Sequence, residues 1–155
     1  MVWVRGSGTL VAKDEKTALL QSLSGAYLSL AVDEEQAEDL PEPGTVLFIA
    51  ASGMVGFRPR LRHFDASGCM PLPSELPGDI IAYVSGYCEG RSNDGYWLLR
   101  TAHARCHIHV WSTQHFEEGE TYTIWGAAWH EHGRFMVAHR ARLLTGPAKP
   151  PTIGA

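Results

Sequence analysis

GDIIAYVSGYCEG (78–90) and GYWLLRTAHARCHIHVWSTQHFEEGETYTIWGAAWHEHGRFMVAHRARLL (95–144) are the stretches whose reading decides the fold. β-Branched and aromatic residues gather there in short runs at 79–87, 96–102, 105–111, 120–129 and 133–144, interrupted by turn-forming residues. Side chains alternate along a strand. RCHIHVW (105–111) therefore turns Cys106, Ile108 and Val110 to one face and Arg105, His107, His109 and Trp111 to the other. The first set reads as a barrel core, the second as an outward polar and aromatic surface.

Working back from this region, the first half has the same texture. Short β-prone runs at 2–4, 9–12, 17–21, 26–32, 45–51 and 57–64 are broken by Gly, Pro or Asp. DEEQAEDL (33–40) is the one helix-like piece: its acidic first turn suits a helix N-terminus, and Pro41 and Pro43 stop it. ASGCMPLPSELP (66–77) reads as a linker and GPAKPPTIGA (146–155) as a flexible tail. Leu19-Leu20 answers Leu98-Leu99, the Gly44 turn answers the Gly119 turn, and Phe57 answers Phe135, all at similar spacing. That points to one five-stranded unit used twice, at 1–65 and 78–145.

Composition narrows the function classes. The chain has 155 residues, 45% of them hydrophobic, and 16 Gly with 9 Pro suit a turn-rich fold. A net charge of −4 argues against gripping duplex DNA by basicity alone. Residues 1–77 hold 6 Lys/Arg against 10 Asp/Glu, whereas 78–155 hold 7 of each and seven of the eight histidines. Cys69, Cys88 and Cys106 form no CxxC pair, no run is long enough for a membrane helix, and MVWVRGSG lacks a signal-peptide layout. A cytoplasmic, reducing location is the expectation.

The order within each half is a long bent hairpin, a third strand, a helix or loop, then a Gly turn and a final hairpin. That order resembles the OB-fold. The fold expected is all-β, two small five-stranded OB-like Greek-key barrels in tandem with one short helix. The stretch quoted at the start carries most of the likeness, which extends to single-stranded DNA-binding and replication protein A-type modules. The resemblance implies non-enzymatic binding of single-stranded nucleic acid, DNA before RNA, with no cofactor and no membrane partner.

On that reading the ligand surface belongs to the second barrel. Tyr96 and Arg100 join Arg105, His107, His109 and Trp111 on it, and the last hairpin adds Trp129, Arg134 and Phe135. A long loop at 85–95 would flank them with Tyr87 and Arg91. Bases stack on aromatic faces at about 1–3 kcal/mol each while cations follow the phosphates. The histidines would strengthen binding as pH falls through about 6.5. Arg58, Arg60 and Arg62 recur at period two and form a secondary cation ladder, with Pro59 pointing to an edge strand. Two other readings stay open: a protein–protein adaptor or assembly module using the same face, and a metal site at His107, His109, His130 and His132; a homodimer is a further possible partner state. There is no GxSxG, no GK[ST], and Cys106 is assigned to the core, so no catalytic residues are named.

Overall fold

Alternation builds the strands. In β1 (Val2–Lys13), Val2, Val4 and Leu10 are buried while Trp3 and Arg5 face outward. In β6 (Ile81–Arg91), Ala82, Val84 and Cys88 are buried opposite exposed Tyr83 and Tyr87. The computed structural model describes residues 1–66, 78–101 and 106–140. Its other strands are β2 (Thr17–Gln21), β3 (Tyr27–Ala31), β4 (Val46–Val55), β5 (Arg58–Asp65), β7 (Trp97–Arg100), β8 (Ile108–Trp111), β9 (Thr121–Glu131) and β10 (Arg134–His139). One short helix, α1 (Glu34–Asp39), follows β3. It opens on a capping box between Asp33 and Gln36, and Lys13 Nζ donates to its last carbonyls, Ala37 at 3.0 Å and Leu40 at 2.7 Å. The described residues are thus all-β apart from α1, and none of their helices is long and apolar enough to cross a membrane.

All ten strands join one sheet ordered β2-β3-β5-β4-β1-β6-β7-β8-β10-β9, with two further pairings, β2 to β1 and β6 to β9. The pairing pattern of the first five strands recurs in the last five. Leu20 faces Leu28 as Leu99 faces Ile108, and Gly8 faces Leu47 as Gly86 faces Tyr122. β3 runs parallel to β5, and β8 to β10. From positive φ, Gly44 N–H donates to Leu10 O at 2.7 Å and Gly119 N–H to Cys88 O at 2.9 Å. A Cβ on Gly8 would stand 3.0 Å from Gln21 O, and one on Gly86 3.1 Å from Arg100 O. Each strand therefore passes close to its partner's backbone at a glycine, where a Cβ would be tightly placed.

One strand pair carries the sheet from half to half. β1 and β6 pair antiparallel through Val2–Val84, Trp3–Tyr83, Val4–Ala82 and Arg5–Ile81. A Cβ on Gly6 would lie 2.8 Å from Ile80 Cα, so the backbones touch where β1 leaves β6. The main core crosses this seam, joining Val2, Leu20 and Leu47 to Val84, Ile108 and Phe135. His130, on β9, pins it: Nδ1 accepts the Ser29 N–H at 2.9 Å, and Nε2–H donates to Phe57 O at 2.7 Å.

Several expectations change. The join at 66–77 does not divide the sheet, because β1 and β6 bridge the halves; residues 67–77 and the tail at 146–155 lie outside the described residues. Gly6-Ser7-Gly8 does not break the first strand, which runs through it as β1. β6 continues to Arg91, so Tyr87 and Arg91 belong to a strand and the loop shortens to 92–96. β5 is not an edge: it lies between β3 and β4, and Pro59 sits opposite Met54 where the register shifts.

Burial pushes the His130 pKa down to about 4, although the bond to Phe57 O favours the proton. The unfolded chain takes up that proton first, near pH 6.5. Stability is therefore complete above pH 6.5 and falls as pH drops from there to about 4, by about 3 kcal/mol from this residue. Burial lowers His109 and His139 as well, in the same sense. Denaturant midpoints at pH 7.5 and pH 5 should show about two-thirds of this loss in the wild type and a visibly smaller one in His130→Gln; equal losses would contradict the assignment.

Candidate nucleic-acid interface

The outer face of β7 and β8 is set by register. Leu98 pairs with His109 and Trp97 with Val110, so Leu99, Ile108 and Val110 close the core while Arg100, His109 and Trp111 turn outward. Arg100 is ion-paired with Glu89 across the strand and lies 3.3 Å from His107 Nε2, which is itself 3.4 Å from Glu89. The Arg100 bond holds the Glu89 carboxyl below its ordinary pKa. This end of the face is a compact Arg–Glu–His group.

At the other end the loop before β7 reaches across the sheet. Asp94 accepts from Arg134 Nη1 at 2.7 Å, although β8 lies between β7 and β10. The loop therefore arches over β8. Beneath and beside it, Tyr96 meets His109 edge-on with ring centroids 6.3 Å apart, and the Arg134 guanidinium stands 5.6 Å from the Tyr96 ring. Burial raises the Tyr96 pKa, and burial then Arg134 lower that of His109, so both stay neutral near pH 7. Ser92 accepts from Gly95 N–H and, through Oγ, from Tyr96 N–H, which gives the loop a fixed shape. Three buried nitrogens on this side have no hydrogen-bond partner: His109 Nδ1, Arg134 Nε and Trp129 Nε1. His109 and Trp129 flank Met136 in one cross-strand row.

Other candidates are placed differently. Phe135 is 0% exposed in the main core, and Trp129 at 2% lies in a second cluster with Met136, Ala26 and Trp111. Neither offers a base a face to stack on, because the parity of β10 turns Phe135 inward and the cluster encloses Trp129. Arg105 lies outside the described residues. Cys106 is half-buried rather than core, its Sγ reaching Gly56 O at 3.3 Å. His132 and Gly133 take positive φ in the two-residue turn from β9 to β10, so His130 and His132 do not share an extended face. With both His130 nitrogens bonded, the four-histidine metal site is not assembled, and no group of metal-ligating residues occurs among the described residues. Burial lowers the pKa of His109, His130 and His139, so each gains a proton at a lower pH than a free imidazole. Comparison with protein-family models, with curated proteins and with solved structures finds no match.

In the first half Arg58, Arg60 and Arg62 do share an outward face, with Pro59 and Leu61 buried between them. Arg58 lies over the Phe57 ring at 4.3 Å and donates to Ser29 Oγ at 2.8 Å; Arg62 donates to Ser52 Oγ at 3.0 Å. Ser52 leads to residues the sequence reading missed. It pairs with Trp3, Trp3 with Tyr83, and Tyr83 with Trp125, a single row across β4, β1, β6 and β9. Trp3 is 44% exposed and Tyr83 48%. The alternation Val2-Trp3-Val4 was a signal that Trp3 faces outward, but nothing local reveals that β1 pairs with β6.

The exposed Asp94–Arg134 pair should add little stability, below about 1 kcal/mol. Asp94→Ala should therefore leave the denaturant midpoint nearly unchanged while hydrogen exchange speeds up at the amides of Gly95 and Tyr96. Unchanged exchange would mean that the ion pair does not hold the loop.

Proposed function

We propose that each half is an OB-like barrel and that the protein binds single-stranded nucleic acid, with the outer face of β7 and β8 as the primary site. One observation carries this reading. The strand succession β6-β7-β8-β10-β9 returns to β6, β8 and β10 are parallel, and the β6–β7 and β9–β10 ends meet through Asp94 and Arg134 beside Tyr96 and His109. In OB barrels the second and third strands and these two connections hold oligonucleotides and oligosaccharides. The succession β1-β2-β3-β5-β4, returning to β1, supports the same reading of the first half.

The chemistry on this face is stacking on Tyr96 and Trp111 and phosphate pairing by Arg100 and Arg134. DNA and RNA share these features. Both arginines are already paired with carboxylates, so a phosphate must displace Glu89 or Asp94. Affinity is therefore modest and falls with salt.

Oligo-dT added at low salt should quench tryptophan fluorescence, with the apparent Kd rising as salt is added. Glu89→Gln together with Asp94→Asn should tighten binding several-fold by freeing both guanidinium groups. A folded wild-type protein whose fluorescence and sedimentation do not respond to oligo-dT at low salt would overturn the proposal.

A further inference from the structure

The most exposed aromatic residues of the molecule do not lie on the β7–β8 face. They lie on the seam: Trp3 and Tyr83 are cross-strand partners on β1 and β6, Trp125 is the next residue in the row, and Tyr87 stands four residues along β6 at 47% exposure. Neighbouring strands stand about 4.8 Å apart, so the three rings of the row span about 10 Å. A flat sheet whose aromatics stack two or three bases is an established way to hold single strands.

Charge on this face has the opposite sign to the chain as a whole. The protein carries a net −4, yet β1 and β4 contain no carboxylate, and β6 and β9 contain one each, Glu89 and Glu131, near their far ends. Arg5 is exposed two residues from Trp3, and Arg62 is held on Ser52 at the end of the row. From Tyr83 the face continues along β6 to Tyr87, which pairs with Arg100, and Arg100 touches His107.

Resting on the reading above, we infer that the row Arg62–Ser52–Trp3–Tyr83–Trp125 is a second binding segment for the same single strand, which passes from the β7–β8 face by way of Arg100 and Tyr87 onto the seam. Bases stack on Trp3 and Tyr83, and Arg5 and Arg62 take phosphates. The site exists only because β1 and β6 pair, so neither half holds it alone.

The test uses a labelled dT oligonucleotide and fluorescence polarisation on the full chain, with circular dichroism and size-exclusion chromatography on every variant. Trp3→Ala with Tyr83→Ala should weaken binding roughly 5- to 100-fold, while Trp3→Phe should stay within about threefold of wild type. Should the alanine pair unsettle the seam, Arg5→Glu with Arg62→Glu leaves the rings in place and should weaken binding and flatten the salt dependence. Wild-type binding with both double variants within twofold of it would overturn the inference and leave the β7–β8 reading standing. No wild-type binding at all would remove both. A wild-type dimer that becomes monomeric in the alanine pair without loss of affinity would make the row a self-association surface and overturn the inference.

Discussion

The pairing of β1 with β6 is the constraint on which the molecule depends. β1 gives one edge to β4 and divides the other between β6 at its start and β2 at its end. β6 does the same with β9, β1 and β7. The two strands pair antiparallel over four residues each, from Val2–Val84 to Arg5–Ile81. Gly6 permits it by letting β1 pass against Ile80, and neutral His130 reinforces it from β9. A main core shared across the seam and one sheet result, so the halves share stability rather than merely a chain.

The two halves differ in the segments that follow β3 and β8. α1 places Ala37 and Leu40 in the core of the first half. The second half uses the segment after β8 instead, where Phe116 packs edge-on against Trp97 and Tyr122 at 5.5 and 4.7 Å. Ser112 and His139, both buried, satisfy each other at 2.8 Å beside it. The aromatic wealth of the second half thus serves two ends: Trp97 and Phe116 fill the interior, and Tyr96 and Trp111 remain for the outer face.

Much of this was legible. Period-two alternation placed Ile108 and Val110 inward against His109 and Trp111, and the matching Leu and Gly landmarks marked the repeat, whereas Phe57 lies in the turn before β5 and does not match Phe135 inside β10. What failed was whatever depends on partners distant in the chain. Gly6 and Gly8 look like a break, yet they are close-approach positions inside a strand, and only the presence of Ile80 and Gln21 explains them. Phe135 follows Arg134 at a hairpin tip and looked exposed, but parity along β10 sends neighbours to opposite faces. His130 resembled half of a metal pair because its true partners, Ser29 and Phe57, belong to the other half. The Trp3–Tyr83 row was invisible for the same reason.

One strand, β6, joins the seam to the β7–β8 face. The β7–β8 face carries neutral rings and paired arginines, and the seam carries exposed rings with Arg5 and Arg62 nearby. The most direct measurement of the central claim is photo-crosslinking to an oligonucleotide carrying 5-iodouracil, with the attached peptides read by mass spectrometry. The account predicts adducts on peptides that contain Trp3, Tyr83 or Tyr96. Adducts confined to the acidic segment around α1, or none at all, would contradict it.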